Sequence, residues 1–198
     1  MLGDRDLARM HRDGELKVEP LSDGWLQPTS IDLRLDRHFL TFRDREPLDT
    51  ILVIDPAQDS THRMESFEAT DERPFILSPG RFALGATFET VGLNDRLAAR
   101  IEGKSSLGRL GLVVHSTAGF IDPGFEGQIT LELFNFAPAP LMLRPGMKIA
   151  QLCIFELMSR VDTLYGSAST KSRYQGQVGP TPSRSHLNWS TVSTAREA

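Results

Sequence analysis

Apolar and polar residues alternate through most of this chain, and the alternation predicts strands. In "GQITLELFNF" (127–136), Ile129, Leu131 and Leu133 fall on one face, and Gln128, Thr130 and Glu132 on the other. "PTSIDLRLDRHF" repeats the pattern, with Ile31, Leu33 and Leu35 against Asp32, Arg34 and Asp36, a strand with one wet or functional face. The same reading predicts strands over "RPFIL", "RFALGATFETV", "LAARIEG", "LGLVVHSTAGFI", "APLMLR" and "MKIAQLCIFEL". Helical spacing occurs near the start. Leu7 and Met10 form an i, i+3 pair, so a short helix runs from Asp4 to about Arg12, with Asp4 as N-cap and Gly14 at its end. "KSSLGRLG" has room for one helical turn. Ser78-Pro79-Gly80, Asp122-Pro123-Gly124 and Arg144-Pro145-Gly146 each read as a tight turn, because Pro sets φ at the first central position and Gly takes positive φ at the second. Many short strands joined by such turns predict a mainly β fold, a barrel or jelly-roll-like sandwich.

The pattern fails after about Leu164. The segment to Ser190 is rich in Gly, Ser, Thr and Pro and carries Lys171, Arg173 and Arg184 without an acid. It reads either as a disordered tail or as a basic flap that orders over an anionic ligand; Tyr165 and Tyr174 favour the flap, since disordered segments are poor in aromatics.

Composition narrows the class. A chain of 198 residues that is 39% hydrophobic forms one compact domain. Net charge −4 argues against a general nucleic-acid binder. The single cysteine, Cys153, excludes an intramolecular disulfide and a multi-cysteine metal site, and the absence of a disulfide framework points to a cytoplasmic home. "MLGDRDLARM" is charged where a signal peptide is apolar, and no run approaches the roughly 20 apolar residues of a membrane helix.

Two places carry candidate chemistry. "EGKSSLGR" gathers Lys104, Ser105, Ser106 and Arg109, hydroxyls and cations suited to phosphates, or else a solvated polar turn. It is not a Walker A loop, because Ala98 stands where that motif has its first Gly. "GFIDPGFEGQITLEL" holds Asp122 and Glu132. A simple hairpin centred near Phe125 places Asp122 opposite Gln128 and Glu132 opposite Ala118, with the acids on the order of 13 Å apart at about 3.3 Å per residue. That separation rules out one shared proton or a two-carboxylate attack on one bond. A turn cap and an exposed strand residue are the plainer readings of the two acids. A zinc nucleobase deaminase needs His-x-Glu and Pro-Cys-x-x-Cys. Here His115 precedes Ser116 and Thr117, and His11, His38, His62 and His186 are scattered surface positions.

"EGKSSLGRLGLVVHSTAGFIDPGFEGQITLEL", with "RPGMKIAQL" and "YQGQVGPTPSRS" downstream, resembles the dCTP deaminase family of the trimeric dUTPase superfamily. "DRDLARM" and "QPTSIDLRLD" fit that family's opening helix and first strand, so the resemblance spans Gly3 to about Asn188. It implies a mainly β, dUTPase-type distorted barrel or jelly-roll-like fold with a short N-terminal helix. Residues 1–164 would form the catalytic domain, and 165–198 a flexible C-terminal lid and tail of the same domain. It implies a homotrimer with active sites between subunits, zinc-independent deamination, and Mg²⁺ carried on the substrate triphosphate. By the same resemblance Glu132 is the general base that deprotonates water for attack on C4 of cytosine, with Ser105 and Arg109 supporting that end. Lys104, Ser105, Ser106, Leu107, Gly108 and Arg109 form a nucleotide-binding segment, and Asp122, Thr130, Leu131 and Glu132 bind the nucleotide as well. Asp122 holds the sugar 3′-hydroxyl and orients the water that attacks the α-phosphate, while Gln151, Tyr165, Arg173 and Gln177 contact the ligand.

Gly119-Phe120 stands where deaminases that stop at dUTP carry His-Arg, and resembles the bifunctional type that continues to dUMP, the precursor for dTMP synthesis. In the hairpin register a small residue beside Glu132 leaves room to rearrange or for a water near the phosphate. A monofunctional dCTP deaminase releasing dUTP, a dUTPase, and a silent nucleotide-binding protein are the rivals. The resemblance also implies dTTP as a feedback inhibitor, and neither nucleic acid nor membrane as partner.

Overall fold

A computed structural model describes residues 1–21, 23–43 and 53–189. Helix α1 (Asp4–Arg12) buries Leu7 and Met10. Its cap differs from the expectation: Gly3 is the N-cap, and Asp4 begins the helix. The Asp4 carboxylate accepts from its neighbour Arg5 N–H at 2.8 Å, so it sits inside the positive end of the helix instead of before it.

The strands follow as β1 (Leu16–Glu19), β2 (Ile31–Arg34), β3 (His38–Phe42), β4 (Met64–Glu68), β5 (Phe75–Leu77), β6 (Phe82–Leu93) and β7 (Leu97–Gly103). One helical turn, α2 (Ser105–Gly108), precedes β8 (Leu112–Val113), β9 (Phe120–Ile121), β10 (Glu126–Asn135), β11 (Leu141–Leu143) and β12 (Lys148–Glu156). All three Pro-Gly turns form, with Gly80, Gly124 and Gly146 at φ of +70°, +91° and +79°. "LGLVVHSTAGFI" gives two short strands with a loop between them where the pattern predicts one. Strands β1 and β4 lack a clear signal: β1 has four residues, and β4 lies at a sheet edge where Met64 is its one buried side chain.

Among the described residues the strands form a sheet in the order β4-β3-β6-β10-β8, with β1 also on β6, a second sheet in the order β2-β12-β7-β9, and the pair β11-β5. These sheets do not close into a barrel. The two larger sheets share one core, in which Phe39, Leu131 and Leu133 of the first meet Ile31, Leu97 and Ile154 of the second. The fold is therefore mainly β and jelly-roll-like. Each fully buried Leu or Ile contributes about 1.5–3 kcal/mol of apolar burial.

The polar face of β2 is not wet. Asp32 is 3% exposed and is held by Lys104 and Lys148. Arg34 pairs with buried Glu89, whose carboxylate accepts from Arg34 Nε at 2.6 Å and from its backbone N–H at 2.8 Å.

The Asp122-Pro123-Gly124 turn is not the tip of a hairpin. Strand β9 pairs with β7, while β10 pairs with β6 and, at its far end, with β8. The turn carries the chain from one sheet to the other, so the register that set Asp122 against Gln128 and Glu132 against Ala118 does not occur. Glu132 lies opposite Leu84 of β6.

Because β8 reaches only Phe134 and Asn135, the first half of β10 has a free edge. The C-terminal segment covers it. Gly176 N–H donates to Glu126 O at 2.8 Å, and Gln128 N–H donates to Gln177 O at 3.0 Å. Gln175 and Gln177 also act as peptide mimics: Gln175 Oε1 accepts from Glu126 N–H at 3.2 Å, and Gln177 Nε2 donates to Gln128 O at 2.7 Å. The root of this segment is fixed where Tyr165 N–H donates to Pro123 O at 2.8 Å. Residues 175–181 are thus docked along β10; 190–198 of the tail lie outside the described residues.

Two stability predictions follow from this packing. Glu89→Gln replaces the carboxylate that neutralises Arg34 beneath the surface and is expected to lower unfolding free energy by about 3 kcal/mol in urea titration. Gly124→Ala forces a Cβ to 2.7 Å from Leu164 Cβ and 2.9 Å from Tyr165 O at positive φ. It is expected to cost about 1–3 kcal/mol by the same measurement.

Candidate active site

Three segments converge on a cavity of about 550 Å³, a size that suits a small-molecule ligand. The loop from His115 to Asp122 forms one wall, β10 supplies Ile129, Thr130 and Glu132, and the docked C-terminal segment supplies Tyr165, Tyr174, Gln177, Thr181 and Ser183.

Glu132 is set by its strand. Leu131 and Leu133 turn wholly into the core, so Glu132 faces the opposite side and is half-buried. Its backbone N–H donates to Val114 O at 3.1 Å, and its Oε2 accepts from Ser116 N–H at 3.1 Å. The loop after β8 therefore fixes both the backbone and one carboxylate oxygen, leaving the other oxygen for a ligand or water. Asp122 reaches the same cavity from the sheet-crossing turn and is exposed at its rim. The two acids share a cavity but not a strand pair.

Thr130 is locked against the docked segment: its Oγ1 accepts from Thr181 N–H at 3.2 Å and lies 3.4 Å from Gln177 Oε1. A register shift between Gln128 and Thr130 marks a bulge, filled by Thr87, whose Oγ1 accepts from Ile129 N–H at 2.9 Å. Tyr165 OH accepts from Tyr174 N–H at 3.1 Å, and Tyr174 OH from Arg184 N–H at 3.0 Å, so the two aromatic rings stand in fixed order along the cavity.

The remaining expected residues lie elsewhere. Lys104, Ser105, Ser106, Leu107, Gly108 and Arg109, on and around α2, do not line this cavity, nor does Gln151 on β12. Leu131 is buried in the core. Lys104 is committed to Asp32, which also holds Lys148 at 3.1 Å and Gln27 Nε2 at 3.3 Å. Arg173 donates to Leu187 O at 3.0 Å and Asn188 Oδ1 at 3.1 Å, stapling the segment to its own terminal turn. Phe120 lines the cavity and is 69% exposed. Gly119 does not sit beside Glu132. It backs onto β7, where its carbonyl accepts from Ile101 N–H at 2.9 Å and a Cβ would stand 3.2 Å from Ile101 O. Its neighbour Ala118 lines the cavity instead.

The residues after His115 exclude it from a zinc-deaminase motif, and the sequence assigned it no other role. It lines the cavity, and both ring nitrogens are buried with no hydrogen-bond partner among the described residues. A buried imidazole left unsatisfied by its own chain is available to a polar ligand. Its single signal was its place three residues before Ala118, in the loop that crosses to Asp122. Among the described residues no three His, Cys, Asp or Glu side chains gather as metal ligands. Burial, with Glu102 adding, pushes the Cys153 thiol up.

Residues 1–157 match the family described as dCTP deaminase-like. A relative from Nocardia farcinica named dCTP deaminase, dUMP-forming, is 54% identical over 198 residues, covering 100% of this chain and 98% of its own length. Relatives of the same name from Salinispora tropica and Bifidobacterium animalis subsp. lactis are 53% identical over 194 residues and 52% over 189, covering 98% and 96% of this chain and 99% and 96% of their own. The crystal structure of 2'-deoxycytidine 5'-triphosphate deaminase from Agrobacterium tumefaciens superposes with a TM-score of 0.59 at 22% identity, over 77% of this chain and 47% of that one, a likeness of fold. With the match running through α1, both larger sheets and the acid-bearing turn and strand, this chain belongs to the dCTP deaminase-like family.

Proposed function

We propose that this protein converts dCTP and two waters to dUMP, ammonia and diphosphate. The observation that carries the reading is the meeting of Asp122 and Glu132 in one cavity, from different elements, with Glu132 oriented by the Ser116 amide. Separate positions suit two separate hydrolyses on one nucleotide. The full-length relatives named dCTP deaminase, dUMP-forming, support the same pair of reactions.

In the first step Glu132 accepts a proton from water, and the hydroxide adds to C4 of cytosine. The proton passes to the exocyclic amine, the C4–N bond breaks, and ammonia leaves. Ser116 N–H keeps one carboxylate oxygen occupied, so the other holds the water in line. In the second step Asp122 orients a water toward the α-phosphorus. The P–O bond to the β-phosphate breaks, and diphosphate departs with its electron pair. The docked segment, through Tyr165, Gln177 and Thr181, excludes bulk water while both steps proceed.

The Asp122 carboxylate, a hard oxygen donor exposed at the rim of this cavity, fits a Mg²⁺–triphosphate. Bound Mg²⁺ would offset charge on the leaving diphosphate, with Asp122 the carboxylate placed to meet it at the rim. The α2 segment and Gln151 lie outside the cavity, so Lys104, Ser105, Ser106 and Arg109 serve a nucleotide here only when a second subunit brings them to it. That arrangement supports a homotrimer with sites between subunits. dTTP, which carries the same sugar and triphosphate, would compete as a feedback inhibitor, and a cytoplasmic nucleotide pool would supply the substrate. No described helix is long and apolar enough to cross a membrane.

Product analysis with purified protein, dCTP and Mg²⁺ is expected to give dUMP and ammonia in equal amounts. Accumulation of dUTP alone would mean a deaminase without the second activity. Glu132→Gln is expected to slow ammonia release by about 10²–10⁴, since an amide does not accept the proton; retention of full rate removes Glu132 as the base. Asp122→Asn, or chelation of Mg²⁺ by EDTA, is expected to depress diphosphate release from dUTP, followed by phosphate detection.

A further inference from the structure

Gln128 stands on β10 with its side chain 9% exposed as a residue, between the core and the docked C-terminal segment. Its amide is divided between the two. Nε2 donates inward to Phe88 O at 3.3 Å and lies 3.5 Å from Asp36 Oδ2, while Oε1 accepts outward from Gly179 N–H. Its backbone exchanges two further hydrogen bonds with Gln177, through N–H to Gln177 O at 3.0 Å and through O from Gln177 Nε2 at 2.7 Å. Asp36 is itself buried and fixed, with its Oδ1 accepting from His38 N–H at 3.0 Å and facing His38 Nδ1 at 2.7 Å.

We infer that Gln128 is a positioning residue that sets the register of the C-terminal segment over the cavity. Edge pairing alone leaves register weakly specified, because a peptide slid by two residues offers the same backbone groups. A buried amide removes that freedom. Its donor end is held by the Phe88 carbonyl, so its acceptor end points outward in one orientation, and only a free N–H at the position of Gly179 completes it. With Gly179 pinned there, Gln177 and Thr181 fall at Thr130, and Tyr174 and Ser183 fall on the cavity wall. Pro180 and Pro182 carry no N–H, so a slide that brings either to this place leaves the Gln128 acceptor buried and unpaired, while a slide by two puts Gln177 or Thr181 where the backbone has a φ of +71° that suits glycine. Gln128 itself does not line the cavity, so it acts through the segment and not on a ligand.

The proposal rests on the nucleotide reading only for its kinetic arm. Gln128→Met keeps the side-chain length and removes both hydrogen-bonding ends. Two measurements on the full chain test it. In native-state trypsin digestion, cleavage after Lys171, Arg173 and Arg184 is expected to accelerate about tenfold, the effect of losing one or two buried hydrogen bonds. In dCTP turnover, KM is expected to rise by a similar factor while kcat changes less than about twofold. Gln128→Asn, whose shorter amide does not span Phe88 and Gly179 together, is expected to shift both in the same direction. Ile154→Val, in the core of the other sheet, weakens the fold generally and is expected to change neither cleavage nor KM. Unchanged cleavage in Gln128→Met, or equal acceleration in Ile154→Val, overturns the proposal. If no variant nor the parent turns over dCTP, the functional reading fails while the digestion result still decides the role of Gln128.

Discussion

The free edge of β10 is the constraint on which the site depends. Backbone N–H and C=O groups along Glu126–Thr130 need partners, and the neighbouring strand β8 is too short to provide them. The chain answers with its own C-terminal segment, held by main-chain bonds and by glutamine side chains that imitate a peptide group. A cavity wall and an edge repair are therefore the same piece of structure. Without the segment, Gln128 and Thr130 would lie on an open sheet margin in water.

The second requirement is met by the turn at Asp122-Pro123-Gly124. Since it joins two sheets and not two paired strands, it swings Asp122 to the mouth of the cavity while β10 carries Glu132 along its wall. Gly124 allows the crossing. Its positive φ makes the turn, and its missing side chain lets Tyr165 lie against it, so the turn and the root of the docked segment are one joint.

Much of the architecture was legible from period and punctuation. The helix over Asp4–Arg12, the strand over Leu97–Gly103 and the three Pro-Gly turns appear as the residue pattern predicts, because each is decided by local chemistry. The partners of the strands were not. Alternation says that Glu132 and Leu131 face opposite sides, but not that β10 lies beside β6, and the hairpin register failed for that reason. Asp32 shows the same limit: in sequence it is a polar residue on an alternating strand, and only tertiary structure brings two lysines onto it. The motifs resembling the dCTP deaminase family located the acids, whereas His115 and Gln128 became visible only when burial and hydrogen bonding were known.

The grip of Asp32 on Lys104 and Lys148 bears on any polyanion that meets this surface. One carboxylate between two ammonium groups leaves a surplus positive charge that attracts, yet Lys104 is already engaged. Binding of a phosphate to Lys104 is then an exchange of partners and not the simple gain of a contact. Lys148 makes the exchange tolerable, because it remains on Asp32 when Lys104 departs and spares the fold a buried, unneutralised acid.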